Sequence, residues 1–232
     1  MIIGLANYEF INHDLKHNYY KIIEGLKTEE VDYLFFGEAY LHGFDGLSWN
    51  VEKDLNFAIT QSDPLFVDIK RMCKLLSKGI GFGYYEKENE YIYCSYIVID
   101  KHGEVVCNYR RQSSGWKYPN SAVNYVNGTQ GAHFSLEGKT FDLLLCGDGW
   151  DDNILESYKG KSDYLLWPLY VNFDIFSELN DYKKRVRTFY DDIFIIGSLS
   201  KKPKSSDGSF YLSKDKTLST IESVEETIII EI

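Results

Sequence analysis

Tyr91-Ile92-Tyr93-Cys94-Ser95-Tyr96-Ile97-Val98-Ile99, Asp100-Lys101-His102-Gly103 and Glu104-Val105-Val106-Cys107-Asn108-Tyr109 form the continuous stretch that decides the fold. Two β-rich runs flank a short polar turn, which predicts an antiparallel hairpin. With Lys101 and His102 as the turn, Val98 faces Val105, Tyr96 faces Cys107 and Cys94 faces Tyr109. Ile97, Ile99 and Val106 then lie on the opposite face, so both faces of the hairpin are apolar. A sheet buried on both sides needs one layer above it and another below.

Outward from the hairpin, apolar β-branched runs alternate with segments of helical period. Ile2 to Ala6 and Val31 to Phe36 read as strands, and Leu15 to Leu26 carries apolar residues at 15, 19, 22, 23 and 26, one face of a helix. Phe66 to Leu76 repeats that pattern through Phe66, Ile69, Met72, Cys73 and Leu76, and stops before Lys78-Gly79. The second half repeats the alternation. Thr140 to Cys146, Tyr164 to Trp167 and Ile193 to Ser198 read as strands, with helices over Asn153 to Lys159 and Phe176 to Tyr190. Phe210-Tyr211-Leu212 and Thr227 to Ile232 add two late strands, the last of which needs sheet pairing or another chain to hold it. The expected architecture is an α/β (α+β) fold, a four-layer α-β-β-α sandwich. No repeat, low-complexity tract or Pro/Ser-rich linker divides the chain, so residues 1–232 read as one domain.

Composition narrows the function. The 232 residues carry 35 acidic against 25 basic side chains, a formal net charge of −10 that repels phosphate backbones at long range. Against it stand only Lys183-Lys184-Arg185-Val186-Arg187 and Lys201-Lys202-Pro203-Lys204, short runs that read as solvated faces. No nucleic-acid partner is expected. The four cysteines, at 73, 94, 107 and 146, show no paired metal-type spacing, and a chain of this size needs no disulfide staples, which suits a reducing compartment. The start lacks a basic region followed by a long apolar segment, and no run approaches the length of a membrane span. A cytoplasmic protein with no membrane partner is the expectation. Of the histidines, only His13 and His17 have a metal-type spacing, without a third ligand nearby, so no metal is expected. The glycines from 79 to 83 form no phosphate cradle before a helix, and no cofactor is expected. The nineteen tyrosines are spread through the strands, as β propensity and packing explain.

Three kinds of polar group stand at the ends of apolar strands, where side chains emerge from a rigid scaffold. Glu38 follows Val31 to Gly37, Arg110 and Arg111 follow Val105 to Tyr109, and Cys146 follows Phe141 to Leu145. Singly, each has a structural reading: a small core residue for the cysteine, a cap or surface charge for the glutamate, an edge guard for the arginines. Jointly they form a nucleophilic site in which a thiolate attacks carbon, a carboxylate moves the proton, and a cation with backbone N–H groups holds the oxyanion.

In these blocks the sequence resembles the nitrilase superfamily of carbon–nitrogen hydrolases, along nearly the whole chain. Asp32-Tyr33-Leu34-Phe35-Phe36-Gly37-Glu38-Ala39-Tyr40-Leu41-His42-Gly43 is similar to the family's block around its glutamate base, with Gly37 where proline is usual. Gly81 to Glu86, Tyr93 to Asp100 and Gly103 to Val106 follow the hairpin before the family's lysine. Phe141-Asp142-Leu143-Leu144-Leu145-Cys146-Gly147-Asp148 is similar to the nucleophile block, and Ser162 to Pro168 and Arg185 to Ser198 match the later landmarks.

The resemblance implies the nitrilase-type sandwich, a homodimer or higher homo-oligomer, Glu38 as general base and Cys146 as the nucleophile that forms an acyl-enzyme. The family's lysine falls on Arg111, an exchange that is not conservative at a close-packed site. Lys117, in the loop Gln112 to Asn120, is an alternative cation for the pocket. The additional acid that members carry between lysine and nucleophile is absent, since no Asp or Glu stands from Arg111 to Leu136. After the nucleophile, Trp150 either walls the pocket or lies near a dimer contact, and Asp148 is a substrate-side candidate whose other role is to orient backbone at the nucleophile turn. The function implied is hydrolysis of a small amide-type substrate through a Cys146 thioester. The alternative is a catalytically impaired homologue that acts as a binding or scaffold protein, motivated by Arg111 and the missing acid.

Overall fold

In the structure, a computed structural model, Tyr96 and Val98 project into a core between two sheets, while Ile97 and Ile99 project into a second core beneath helices. The structure describes residues 1–158, 162–201, 204–206, 208–214, 216–220 and 223–232, with the backbone alone for 204–206. The first half of the chain runs β1 (Ile2–Asn7), α1 (Leu15–Thr28), β2 (Tyr33–Phe35), α2 (Val51–Phe57), α3 (Pro64–Leu76), β3 (Gly79–Glu88), β4 (Tyr91–Ile99) and β5 (Val105–Arg110). The second half runs β6 (Ala132–Leu136), β7 (Lys139–Leu143), α4 (Asp152–Tyr158), β8 (Tyr164–Pro168), α5 (Ile175–Val186) and β9 (Asp192–Ile196). It ends with β10 (Leu199–Lys201), β11 (Lys204–Ser206), β12 (Phe210–Leu212), β13 (Thr217–Ser219) and β14 (Glu226–Glu231).

Two six-stranded mixed sheets result, ordered β14-β1-β2-β3-β4-β5 and β13-β12-β9-β8-β7-β6, beside a β10-β11 ribbon. In each sheet the three central strands that alternate with helices are parallel, β1-β2-β3 and β7-β8-β9, and antiparallel strands flank them. The parallel strands are buried on both faces, which is why they read as continuous apolar runs. Ile22, Leu26, Phe66, Ile69 and Cys73 of α1 and α3 cover the first sheet, and Leu155, Ile175, Tyr182 and Val186 of α4 and α5 cover the second. Between the sheets, Ile3, Leu5 and Phe35 meet a core that includes Leu143 and Ile196. An aromatic ladder, Phe134, Phe141, Tyr164, Phe194 and Tyr211, crosses the second sheet with centroids 5.1–5.7 Å apart, so these rings serve packing. The last strand is held by sheet pairing: β14 runs antiparallel to β1, with Ile230 opposite Ile3.

The register of the central hairpin differs from the sequence expectation. The turn holds three residues, because Asp100 N–H donates to Glu104 O at 2.9 Å and Gly103 sits at φ +82°. A bulge between Val98 and Ile99 adds a second step. Val98 therefore faces Cys107 and Tyr96 faces Tyr109. Cys94 comes opposite Arg111 instead of Tyr109, and the Arg111 N–H donates to the Cys94 carbonyl at 2.8 Å. The two-residue displacement keeps Cys107 and Tyr109 on the face of Val98 and Tyr96. Beyond the bulge Ile99 pairs with Val105, so Val105 packs with Ile97 and Ile99 and Val106 packs in the core between the sheets, the reverse of the sequence expectation. Both faces of the hairpin stay apolar, and the layered sandwich expected is the one observed.

Strand β7 ends at Leu143, earlier than expected, and α5 ends at Val186. Helix α2 and the strands β6, β10, β11 and β13 were not anticipated. The burial of β6 alternates strictly, but its five residues are too few to stand out. The basic residues of the 183–187 run are tied down: Lys183 bonds Thr217 Oγ1, Arg185 bonds Gly149 O and Arg187 bonds Ser213 O. Lys202, Pro203 and the expected helix end at Lys159 lie outside the described residues. Among the described residues, no helix is long and apolar enough to cross a membrane.

Candidate active site

Glu38, Arg111 and Cys146 converge where strand ends of the two sheets meet. Glu38 leaves β2 after Phe36-Gly37, and its N–H donates to Leu169 O, just past β8, at 3.4 Å. Arg111 leaves β5, and its Nη1 donates to Glu38 Oε1 at 2.7 Å, with Glu38 fully buried and Arg111 3% exposed. Burial works against the guanidinium's charge, but the Glu38 carboxylate outweighs it and holds Arg111 protonated above its ordinary range.

Cys146 follows β7 at a sharp elbow. Leu145 is extended, Cys146 itself turns to φ +48°, and a 3-10 turn carries the chain through Trp150. A left-handed cysteine is strained, and the strain throws its side chain off the strand end. Asp148 fixes the elbow. Its fully buried carboxylate accepts from Leu145 N at 3.2 Å, Tyr109 OH at 2.7 Å, Gln112 N at 3.2 Å and Ser113 N at 2.7 Å, which ties the nucleophile turn to the chain after Arg111. With four donors on it, Asp148 orients backbone and does not face the cleft.

Cys146 is half-buried, and its thiol donates to Tyr170 O at 3.6 Å. Burial first, and the Glu38 carboxylate second, push the thiol up to about 12, while Arg111 pulls it the other way. The resting group is therefore a neutral thiol, which needs a base at the moment of attack.

Arg111 is shaped into this place. Its Nε donates to Ser113 Oγ at 2.9 Å, and its Nη2 fills space that two glycines leave open. A Cβ on Gly115 would lie 2.7 Å from that nitrogen, and one on Gly147 2.5 Å from it. The guanidinium thus packs against backbone directly after the nucleophile.

Lys117 does not join the group, because its Nζ donates to Tyr125 O at 2.6 Å. Trp150 does reach the entrance. It lines, with Cys146 and Gly147, a cleft of about 910 Å³ whose other walls include Val171, Phe173 and Tyr182. Trp150 and Phe173 are each 46% exposed, and the Trp150 ring stands edge-on to Tyr182 at 5.0 Å. Sequence reasoning missed Ser113, Gly115 and Cys94, whose thiol lies 3.5 Å from Glu38 Oε1. Among the described residues, no group of three His, Cys, Asp or Glu is arranged to hold a metal ion.

Comparison of the whole chain with solved structures decides the fold family. A glutamate-to-glutamine mutant of the amidase from Nesterenkonia sp. AN1, carrying acrylamide added at its active-site cysteine, superimposes with a TM-score of 0.82 over 100% of this chain and 93% of that one. The fold is that of the nitrilase superfamily. A cysteine-to-serine mutant of the same amidase, described as a member of that superfamily, gives 0.82 over 100% and 91%, and a cysteine-to-alanine mutant in complex with butyramide gives 0.80 over 100% and 90%. Identity to these chains is 15–16%, so the nitrilase-type likeness is one of fold. No family model matches the sequence, and no curated protein matches it.

Proposed function

We propose that the protein is a carbon–nitrogen hydrolase that cleaves a small amide through a thioester on Cys146. The observation that carries this reading is the convergence of a buried Glu38–Arg111 pair on a strained, cleft-facing cysteine. Sγ attacks the amide carbon while its proton passes to Glu38, and the C=O pair moves onto oxygen. Arg111 and backbone N–H groups stabilise that oxyanion. Collapse expels the nitrogen, which takes the proton from Glu38 and leaves as ammonia or amine. Water then attacks the thioester with Glu38 again as base, and the acid departs as the thiol regains its proton. The alternative of an impaired binding protein rests on Arg111 and on the missing acid between it and Cys146; against the first ground, Ser113, Gly115 and Gly147 accommodate that arginine closely.

Hydroxylamine tests the reading, since it intercepts a thioester. With a panel of simple amides, ammonia release accompanied by hydroxamate formation is the expected result; absence of turnover across the panel counts against it. Trp150, Val171, Phe173 and Tyr182 give the cleft an apolar side for the acyl group, beside the charged Asp174, Glu178, Asp181, Lys184 and Arg185. Trp150→Ala is expected to raise KM about 10-fold for aryl or branched amides, with kcat within about 3-fold, the scale of one aromatic contact. Steady-state kinetics on acetamide beside a bulkier amide provides the check: an equal effect on both contradicts a role for Trp150 in holding the acyl group.

A further inference from the structure

The two oxygens of Glu38 are held unequally. Oε1 accepts from Arg111 Nη1 at 2.7 Å and from Cys94 Sγ at 3.5 Å, a normal range for a sulfur donor. Oε2 is buried and has no hydrogen-bond partner among the described residues. An orphaned carboxylate oxygen in a buried site is costly, and such groups in folded proteins call for a role. We propose that Cys94 is a positioning residue: its thiol, with Arg111, pins Oε1 so that Oε2 is the oxygen left to take the proton from Cys146. This inference rests on the reading of Glu38 as general base.

Several features fit Cys94 for that task and against a second nucleophile. It is 1% exposed and, unlike Cys146, does not line the cleft. Its register position opposite Arg111 places the two donors side by side, across β4 and the end of β5, and the backbone bond from Arg111 N–H to Cys94 O fixes their spacing. Burial and Glu38 raise the thiol well above its ordinary value, which keeps the S–H proton available for donation. A neutral donor also steadies the carboxylate without adding a second positive charge that would compete with Arg111.

The test compares Cys94→Ala and Cys94→Val, which remove the donor, with Cys94→Ser, which keeps one; valine fills the space if alanine unfolds. Loss of one weak donor to a charged group predicts a kcat about 10-fold lower in the first two variants, with KM within about 2-fold, and recovery in serine. Iodoacetamide labelling of Cys146 at neutral pH, read by mass spectrometry of its peptide, is expected to slow by the same factor and needs no amide turnover. Equal behaviour of valine and serine, or a change confined to KM, overturns the proposal and assigns Cys94 to packing. Glu38→Gln separates the two levels. If it leaves labelling and turnover intact, the general-base reading itself falls; if it abolishes both while the Cys94 variants match wild type, only the positioning role falls.

Discussion

Cys146→Ala is expected to lower amide turnover by about 10⁴-fold or more, the scale on which removal of a catalytic nucleophile acts. The substitution removes one half-buried sulfur and leaves the elbow, which Asp148 holds through Leu145, Gln112 and Ser113. Because the resting thiol is neutral, no buried charge is lost, and stability should change by no more than about 1 kcal/mol. A melting curve separates a folded, inactive variant from an unfolded one. The same neutrality sets the pH dependence. A cysteine of ordinary value would gain thiolate, and rate, as pH approaches 9.0. With the thiol pushed up to about 12 and proton removal assigned to Glu38, kcat/KM should instead stay level from about pH 7 to about pH 9. A tenfold climb per pH unit over that interval contradicts general-base assistance. Turnover that survives in Cys146→Ala contradicts the mechanism.

Arg111→Lys is expected to lower kcat about 100-fold, as loss of a positioned oxyanion donor does. An ammonium can pair with Glu38, but it cannot also bond Ser113 Oγ and fill the space beside Gly115 and Gly147 that Nη2 occupies. Arg111→Met goes further, since it strands the fully buried Glu38 without its partner. Breaking one side of a buried pair costs about 3–5 kcal/mol, which chemical denaturation will show as a lowered midpoint. The impaired-homologue alternative makes the opposite prediction for lysine, a gain of amidase activity from a restored ancestral cation. The kinetics of this one variant therefore discriminate the two readings. The glycines beside the guanidinium favour loss, because a site that had merely decayed would have no reason to be carved around the replacement.

The convergence of Glu38, Arg111 and Cys146 was legible because each follows an apolar run, and strand ends of a layered α/β fold carry side chains into one crevice. Layering itself was legible from the two apolar faces of β4. Cys94 was not, because its place depends on the turn: a three-residue loop through Gly103 and a bulge at Val98 move its partner from Tyr109 to Arg111. Ser113 and Gly115 were hidden for a different reason. They lie in a loop with no period, where only the folded path brings them back to the arginine two and four positions earlier. For Asp148 the sequence offered two places, beside the substrate or among the backbone of the nucleophile turn, and only its four donors assign it to the second. Lys117 shows the limit of proximity in sequence, because a nearby carbonyl, Tyr125 O, captures its ammonium.

The acyl-enzyme on Cys146 can be sought directly by mixing the protein with an amide that it turns over, quenching in acid within the first turnovers, and measuring intact and peptide masses. A mass increase equal to the acyl group is expected, confined to the peptide that contains Cys146 and absent from Cys146→Ala. Ammonia release with no adduct on any cysteine, or an adduct on Cys73, Cys94 or Cys107 while Cys146 stays free, rules out the Cys146 thioester.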